Sequence, residues 1–260
     1  MDQPAVILIH GATLNGRSWD PVRRLIDPRL RVLAPDLPGH GARQDETYTL
    51  EGGVETVLAA ARALGDAPFI LAGDSLGSYT AQAAAARLPQ ERLRGLVLGG
   101  ASHEFRGAPT YAYRAKALMF RFLIALMGER KLVEGKIPGV LSEVGMNGED
   151  AGATLAAGVS LKAFPQAVRA LSGEDFRGML ARITQPTLFI NGDLDKPHVR
   201  GEADYVAAAR NARIERFADC PHGVSLHRAR DYARLLNAFA QQVLPLEGRR
   251  QEAPGSQAGG

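Results

Sequence analysis

Three short stretches hold the side chains that could act together on a substrate. The first is Gly73-Asp74-Ser75-Leu76-Gly77, a serine between two glycines, with an apolar run at 69–74 before it and the Ala-rich "LGSYTAQAAAARL" after it. Glycine suits a backbone that must bend sharply or let another segment come close. A G-x-S-x-G between a strand and a helix is the context of a nucleophile elbow, a tight turn that lifts the serine hydroxyl above the sheet edge. The helix that follows aims its positive end at the reacting group, which favours developing negative charge there. The plainer reading is a strand-to-helix turn with an incidental serine.

A serine hydroxyl is a weak nucleophile until a base takes its proton. Of the six histidines, His10, His40, His103, His198, His222 and His227, the fifth stands in "FADCPHGVSLH" (217–227), between the last expected strand and the last expected helix. That loop falls on the same edge of a sheet as Ser75. His227 is the rival, placed to cap the helix or face solvent. The base in turn needs an acid to fix its tautomer. "LFINGDLDKP" (188–197) offers Asp193 and Asp195 at the end of another apolar run.

These groups need a scaffold that brings three distant stretches to one edge. Strands are expected at 5–11, 31–36, 69–74, 93–101, 186–192 and 212–219, several of them apolar on consecutive positions, as in a parallel sheet covered on both faces. Helices are expected at about 18–27, 50–64, 76–88, 200–210 and 228–243. This alternation predicts an open, doubly wound α/β sheet. It breaks once: between Ser102 and Arg182 the pattern is helical only, too long for a bare loop. The expected organisation is a core of residues 1–101 and 183–246, a helical cap at 102–182 over the carboxyl ends of the strands, and a disordered polar tail at 247–260.

With strand, elbow, acid and histidine in this order, the chain resembles the α/β-hydrolase superfamily over nearly its whole length. The resemblance implies an α/β-hydrolase fold, a mostly parallel sheet of about six strands with the cap inserted before the penultimate one. It implies a nucleophile, acid and base at Ser75, Asp195 and His222. Gly192-Asp193-Leu194-Asp195 matches the family's G-x-x-D turn, which favours Asp195 and leaves Asp193 to hold the turn by side-chain hydrogen bonding. Glu104 is a minor alternative acid. "LIHGAT" (8–13) is similar to the family's oxyanion motif, so the backbone N–H groups of Ala12 and Leu76 are the expected oxyanion donors. His10, Asp36, His40 and Trp19 are then structural. The family's sheet carries two further antiparallel strands ahead of the first one here, so an exposed edge is expected, and with it a monomer or a homodimer.

The implied activity is hydrolysis of small, fairly apolar carboxylic esters, lactones or thioesters through an acyl-enzyme, with no metal or organic cofactor. A serine at the elbow argues against relatives that use a carboxylate nucleophile. One alternative is hydrolysis of a carbon–carbon bond in a β-diketone-like substrate, for which Arg114 or Arg121 would meet a carboxylate. Another is a pocket that binds without turnover. Met119, Phe122, Met127 and Phe164 either line an apolar pocket or form the cap's own core.

Composition narrows the rest. With 31 basic and 28 acidic residues the net charge is only +3, and no basic stripe for nucleic acid is visible. A single cysteine, Cys220, excludes an internal disulfide framework. "ALMFRFLIALMG" (117–128) is too short to span a bilayer. The first residues do not read as a signal peptide, so a cytoplasmic location is expected.

Overall fold

The computed structural model describes residues 2–246. Its frame is a six-stranded sheet, β1 (Ala5–Ile9), β2 (Arg31–Leu33), β3 (Phe69–Asp74), β4 (Leu93–Gly99), β5 (Thr187–Gly192) and β6 (Ala212–Phe217), in the order β2-β1-β3-β4-β5-β6. Every pairing is parallel. The chain moves outward from β1 to β2, then returns to place β3 on the other side of β1. A crevice at the carboxyl ends of β1 and β3 follows from that reversal.

The consecutive apolar positions have the expected cause. Successive side chains of a strand point to opposite faces, and both faces here are covered. Ile7, Ile9, Leu71, Leu96, Leu98 and Phe189 face one core. It is closed by α2 (Leu50–Arg62) and α3 (Leu76–Ala85). Val6, Leu8, Ile70, Val97, Leu188 and Ile190 face the other. That one is closed by a 3₁₀ turn at Gly16–Trp19, α1 (Asp20–Arg23) and a late helix at Ala229–Val243. Trp19 is buried against Tyr232 there, with ring centroids 5.6 Å apart, and is core as expected.

Between β4 and β5 the chain forms α4 (Thr110–Met127), α5 (Glu129–Glu143), α6 (Gly148–Ala156), α7 (Ala163–Leu171) and α8 (Phe176–Leu180), and no strand. This is the expected helical insertion before the penultimate strand. It is pinned to the β1–α1 loop: Asn15 Nδ2 donates to the carbonyls of Thr154 (2.8 Å) and Gly158 (2.9 Å), and Ser160 N to that of Thr13 (3.0 Å). An ion pair joins Arg24 to Asp150 (Nη1–Oδ1 2.8 Å). After β5 come α9 (Lys196–Ala208), α10 (Val224–His227) and α11 (Ala229–Val243).

Boundaries moved where proline intervenes. β2 stops at Leu33, two residues before Pro35, and the chain instead turns around Asp36, whose carboxylate accepts from Gly16 N (2.8 Å) and Ala42 N (2.9 Å). α9 begins at Lys196, earlier than 200, because Pro197 is pre-set for a first helical turn. The two edge strands are short or charged: β2 has three residues, and β6 exposes Arg213, Glu215 and Arg216. Both devices discourage pairing with another chain. The tail expected at 247–260 lies outside the described residues. Among the described residues no helix is long and apolar enough to cross a membrane.

Phe189 on the central part of β5 is wholly buried. Phe189→Ala is expected to lower the unfolding free energy by about 3–5 kcal/mol, read from urea denaturation at constant m. A loss below about 1 kcal/mol would contradict the packing described for β5.

Candidate active site

The site forms where β1, β3, β4 and β5 end. Ser75 sits between β3 and α3 with φ +51° and ψ −116°, a backbone conformation that an L-residue rarely adopts. It is held there by Ser75 N donating to Gly99 O at 2.8 Å, the last carbonyl of β4. The flanking glycines are required by contact. A Cβ on Gly73 would lie 2.5 Å from the Gly77 carbonyl carbon, and one on Gly77 would enter the Ile9 carbonyl and reach 2.7 Å from His10 O.

The N–H of Leu76 opens α3 and has no carbonyl one turn back to accept it. Across the turn, the Ala12 N–H makes no hydrogen bond among the described residues. Both residues line one small cavity with Ser75. The loop carrying Ala12 is set by His10, whose Nδ1 donates to Gly11 O (2.8 Å) while Nε2 accepts from Leu37 N (3.0 Å). Both ring nitrogens are thus occupied by backbone, the structural role expected of His10.

His222 follows β6. Its ring rests on Gly100 (φ +55°), where a Cβ would come 2.6 Å from the imidazole, so only glycine leaves room. Nδ1 of His222 donates to Asp195 Oδ2 at 2.6 Å. Asp195 occupies the N-cap position of α9, yet its side chain does not cap the helix, because the imidazole has taken it. Burial raises a carboxyl pKa, but here the close approach of His198 and the hydrogen bond from His222 outweigh it and hold Asp195 well below the usual carboxylate range. Desolvation opposes charge on His222, yet Asp195, through its hydrogen bond and its charge, and Asp74 more weakly, raise its pKa. Asp74 itself is buried at the end of β3, pushed up by desolvation and held by Ser225 Oγ at 2.8 Å. Ser75 and His222 meet the same corner, Gly99–Gly100, but no hydrogen bond joins them in this conformation; such contacts often tighten only with substrate bound.

The other acids do something else. Glu104 is drawn into ion pairs with Arg106 (3.3 Å) and Arg177 (2.9 Å). Among the described residues the Asp193 side chain makes no hydrogen bond to hold its turn; its backbone does, through Asp193 N to Phe217 O (2.9 Å).

The cavity at Ser75 measures about 30 Å³ and is walled by Tyr79, Phe105, Tyr113, Phe164, Val168 and Leu171. Of the four expected pocket residues only Phe164 is among its lining. Met119, Phe122 and Met127 are exposed on α4 at 49%, 64% and 41%. At about 100° per residue, Phe122 lies on the opposite side of the helix from Tyr113, the residue that does face inward. The signal for the true wall was the spacing Phe164, Ala167, Val168, Leu171, one helical stripe. Outside α4 and α7 runs a separate groove of about 880 Å³, with Arg114, Arg121, Lys162 and Arg169 on its walls. Val168 borders both spaces.

His198 was the other residue the pattern concealed. It lines the cavity, and its Nδ1 lies 2.8 Å from the same Asp195 Oδ2 that His222 binds. Its place in the first turn of α9, three residues after Asp195, was legible only once Pro197 was recognised as helical.

Against known proteins, a model described as the alpha/beta hydrolase family matches residues 6–235. A pimeloyl-[acyl-carrier protein] methyl ester esterase of Aromatoleum aromaticum is 28% identical over 91% of this chain and 98% of its own. One of the same name from Xanthomonas campestris pv. campestris is 30% identical over 91% and 94%. The structure of MenH from S. aureus superposes with a TM-score of 0.74 at 18% identity, over 93% of this chain and 95% of that one, a likeness of fold.

Buried imidazoles weaken the fold towards acid, and three of the four are pushed furthest from their ordinary range. Burial lowers His10 to about 4, His40 to about 3, with the His10 charge adding, and His198 to about 4, partly offset by Asp195. In the unfolded chain they titrate near ~6.5. Below that pH the unfolded state takes up protons that the folded state refuses, so stability falls as pH drops towards the folded values. His222 acts in the opposite sense, its contribution being lost as pH rises through its raised pKa. The slope for three groups approaches roughly 4 kcal/mol per pH unit. Thermal midpoints are expected to drop steeply between about pH 6 and pH 4. His40→Asn should flatten the slope by about 1.4 kcal/mol per pH unit, and an unchanged slope would show that His40 titrates freely in the fold.

Proposed function

Because the chain belongs to the alpha/beta hydrolase family, we propose that Ser75, His222 and Asp195 form the catalytic triad of a serine esterase. The observation that carries this reading is the 2.6 Å bond from His222 Nδ1 to Asp195. It leaves Nε2 as the basic nitrogen, on a ring that meets the same Gly99–Gly100 corner as a serine in a strained turn. Ser75 Oγ attacks the ester carbonyl as His222 Nε2 takes its proton, and Asp195 stabilises the imidazolium. The oxyanion is received by the N–H groups of Ala12 and Leu76. His222 then protonates the departing alcohol, and a water deprotonated by His222 releases the acid from Ser75.

For substrate we propose a small-alcohol ester of an apolar acyl group. Apolar side chains dominate the cavity wall. A volume of about 30 Å³ holds roughly two waters or a methyl group, so a longer acyl chain requires α4 and α7 to part. We therefore assign residues 102–182 the role of a lid on a core of 1–101 and 183–246. The relatives' names specify a methyl ester of an acyl group borne on a carrier protein. A methyl ester suits this small cavity, and the cationic groove suits an anionic carrier. Carbon–carbon hydrolysis is disfavoured, since Arg114 and Arg121 line the outer groove and not the cavity.

The test is labelling with a fluorophosphonate probe, read by intact mass, followed by turnover of p-nitrophenyl and methyl esters of graded chain length. One adduct is expected on the native protein and none on Ser75→Ala, with kcat lower by roughly 10⁴-fold or more in the variant. Absence of an adduct on folded native protein would leave a binding protein without turnover. Since the base must be neutral, and Asp195 raises its pKa, activity should decline on the acid side at a higher pH than an unperturbed histidine would give.

A further inference from the structure

His198 has no step in the reaction proposed above, yet it touches the groups that do. Only 2% of its side chain is exposed. Its ring stacks on that of His222 at 4.8 Å with 27° between planes, and its other side meets His103 at 5.8 Å. Its backbone is fixed from both ends: His198 N donates to Asp195 O (3.1 Å), and His198 O accepts from Ser102 Oγ (2.8 Å). Its Nδ1 is buried, 2.8 Å from Asp195 Oδ2, without reaching hydrogen-bond alignment and with no other partner.

Two imidazole nitrogens and one carboxylate within 4.8 Å of one another also raise the question of a metal ion. The spacing answers it. Donors around a tetrahedral ion with bonds of about 2.0–2.1 Å stand roughly 3.3 Å apart. Here each nitrogen lies 2.6 or 2.8 Å from the oxygen, which is the separation of a shared proton. A bare nitrogen lone pair would repel the carboxylate at that distance. The proton of neutral His198 therefore belongs on Nδ1.

We propose that His198 is a positioning residue that shares Asp195 with the base. Its Nδ1–H leans on the oxygen that His222 uses, and its ring stacks flat against the His222 ring. The first contact draws carboxylate charge away from His222 and moderates its basicity. The second keeps the imidazole from swinging off Gly100 when it becomes charged. The other ionisable groups that face the pair are Asp74 at the end of β3, His103 after β4, Lys116 on α4 and His227 on α10. Among the described residues none of these touches Asp195 Oδ2, and His198 alone competes with His222 for it directly.

This inference rests on the esterase reading, and its test is chosen to fail separately. The primary measurement is the titration of His222 by imidazole NMR, which needs no turnover. His198→Phe keeps a ring against His222 but donates nothing, so the His222 pKa should rise. The acid limb of kcat/KM should move to higher pH with it, and the rate at pH 7 should fall by about fivefold, roughly 1 kcal/mol in the barrier. His198→Asn offers an amide N–H where Nδ1 stood and should return both titrations towards the native position. A His222 titration unmoved in His198→Phe, whatever the rate, would overturn the proposal. So would nitrogen shifts in the native protein that place the His198 proton on Nε2, a measurement that stands even if a variant does not fold. Native protein that neither takes the fluorophosphonate nor turns over ester would overturn the esterase reading alone.

Discussion

The backbone at Ser75 is held where an L-residue does not rest, and the sheet is what holds it there. Strain of this kind persists only when the surroundings over-determine it. Here β4 supplies the acceptor for Ser75 N, while β1 approaches so closely that Gly77 has no space for a methyl group. Three strands must therefore be in register before the serine is presented at all. The parallel order β1-β3-β4-β5 then delivers the remaining loops to the same edge. Core packing, elbow and site are one structure, and damage to the strand register would reach Ser75 first.

Burial does a second kind of work. Imidazoles that would otherwise titrate near neutrality are kept uncharged by desolvation at His10, His40 and His198. His222 is the contrasting case, 41% exposed at the side chain and biased towards its charged form by Asp195. One residue type thus stays uncharged at three positions and serves as the proposed base at a fourth. The difference lies in enclosure: the first three rings are almost wholly buried, whereas His222 stays partly open beside its carboxylate.

Much of this was legible in the sequence because it depends on local rules. Glycines around Ser75 and apolar runs without alternation each reflect a constraint acting within a few residues, whereas the pairing of Ser75 with Asp195 and His222 rested on the family resemblance. What escaped depends on rotation and neighbours. Met119 and Phe122 looked like pocket residues by type, but Tyr113 and Ala117 take the inward face of α4. Ending β2 at 36 overlooked Pro35, and starting α9 at 200 hid His198 from its place beside Asp195.

The insertion is tied to the core through the β1–α1 loop and not merely laid across it. Asn15 clasps the end of α6 at Thr154 and Gly158, and Ser160 N reaches Thr13 O, in the loop that begins with Ala12. Thr13 is itself one of the few non-glycine residues with positive φ, at +72°. Any displacement of the segment between α6 and α7 must break that bond or drag the Ala12 amide along. In the proposed reaction, admission of a substrate and readiness to stabilise its oxyanion would thereby be mechanically geared: a door left ajar would also be a door with its latch misaligned.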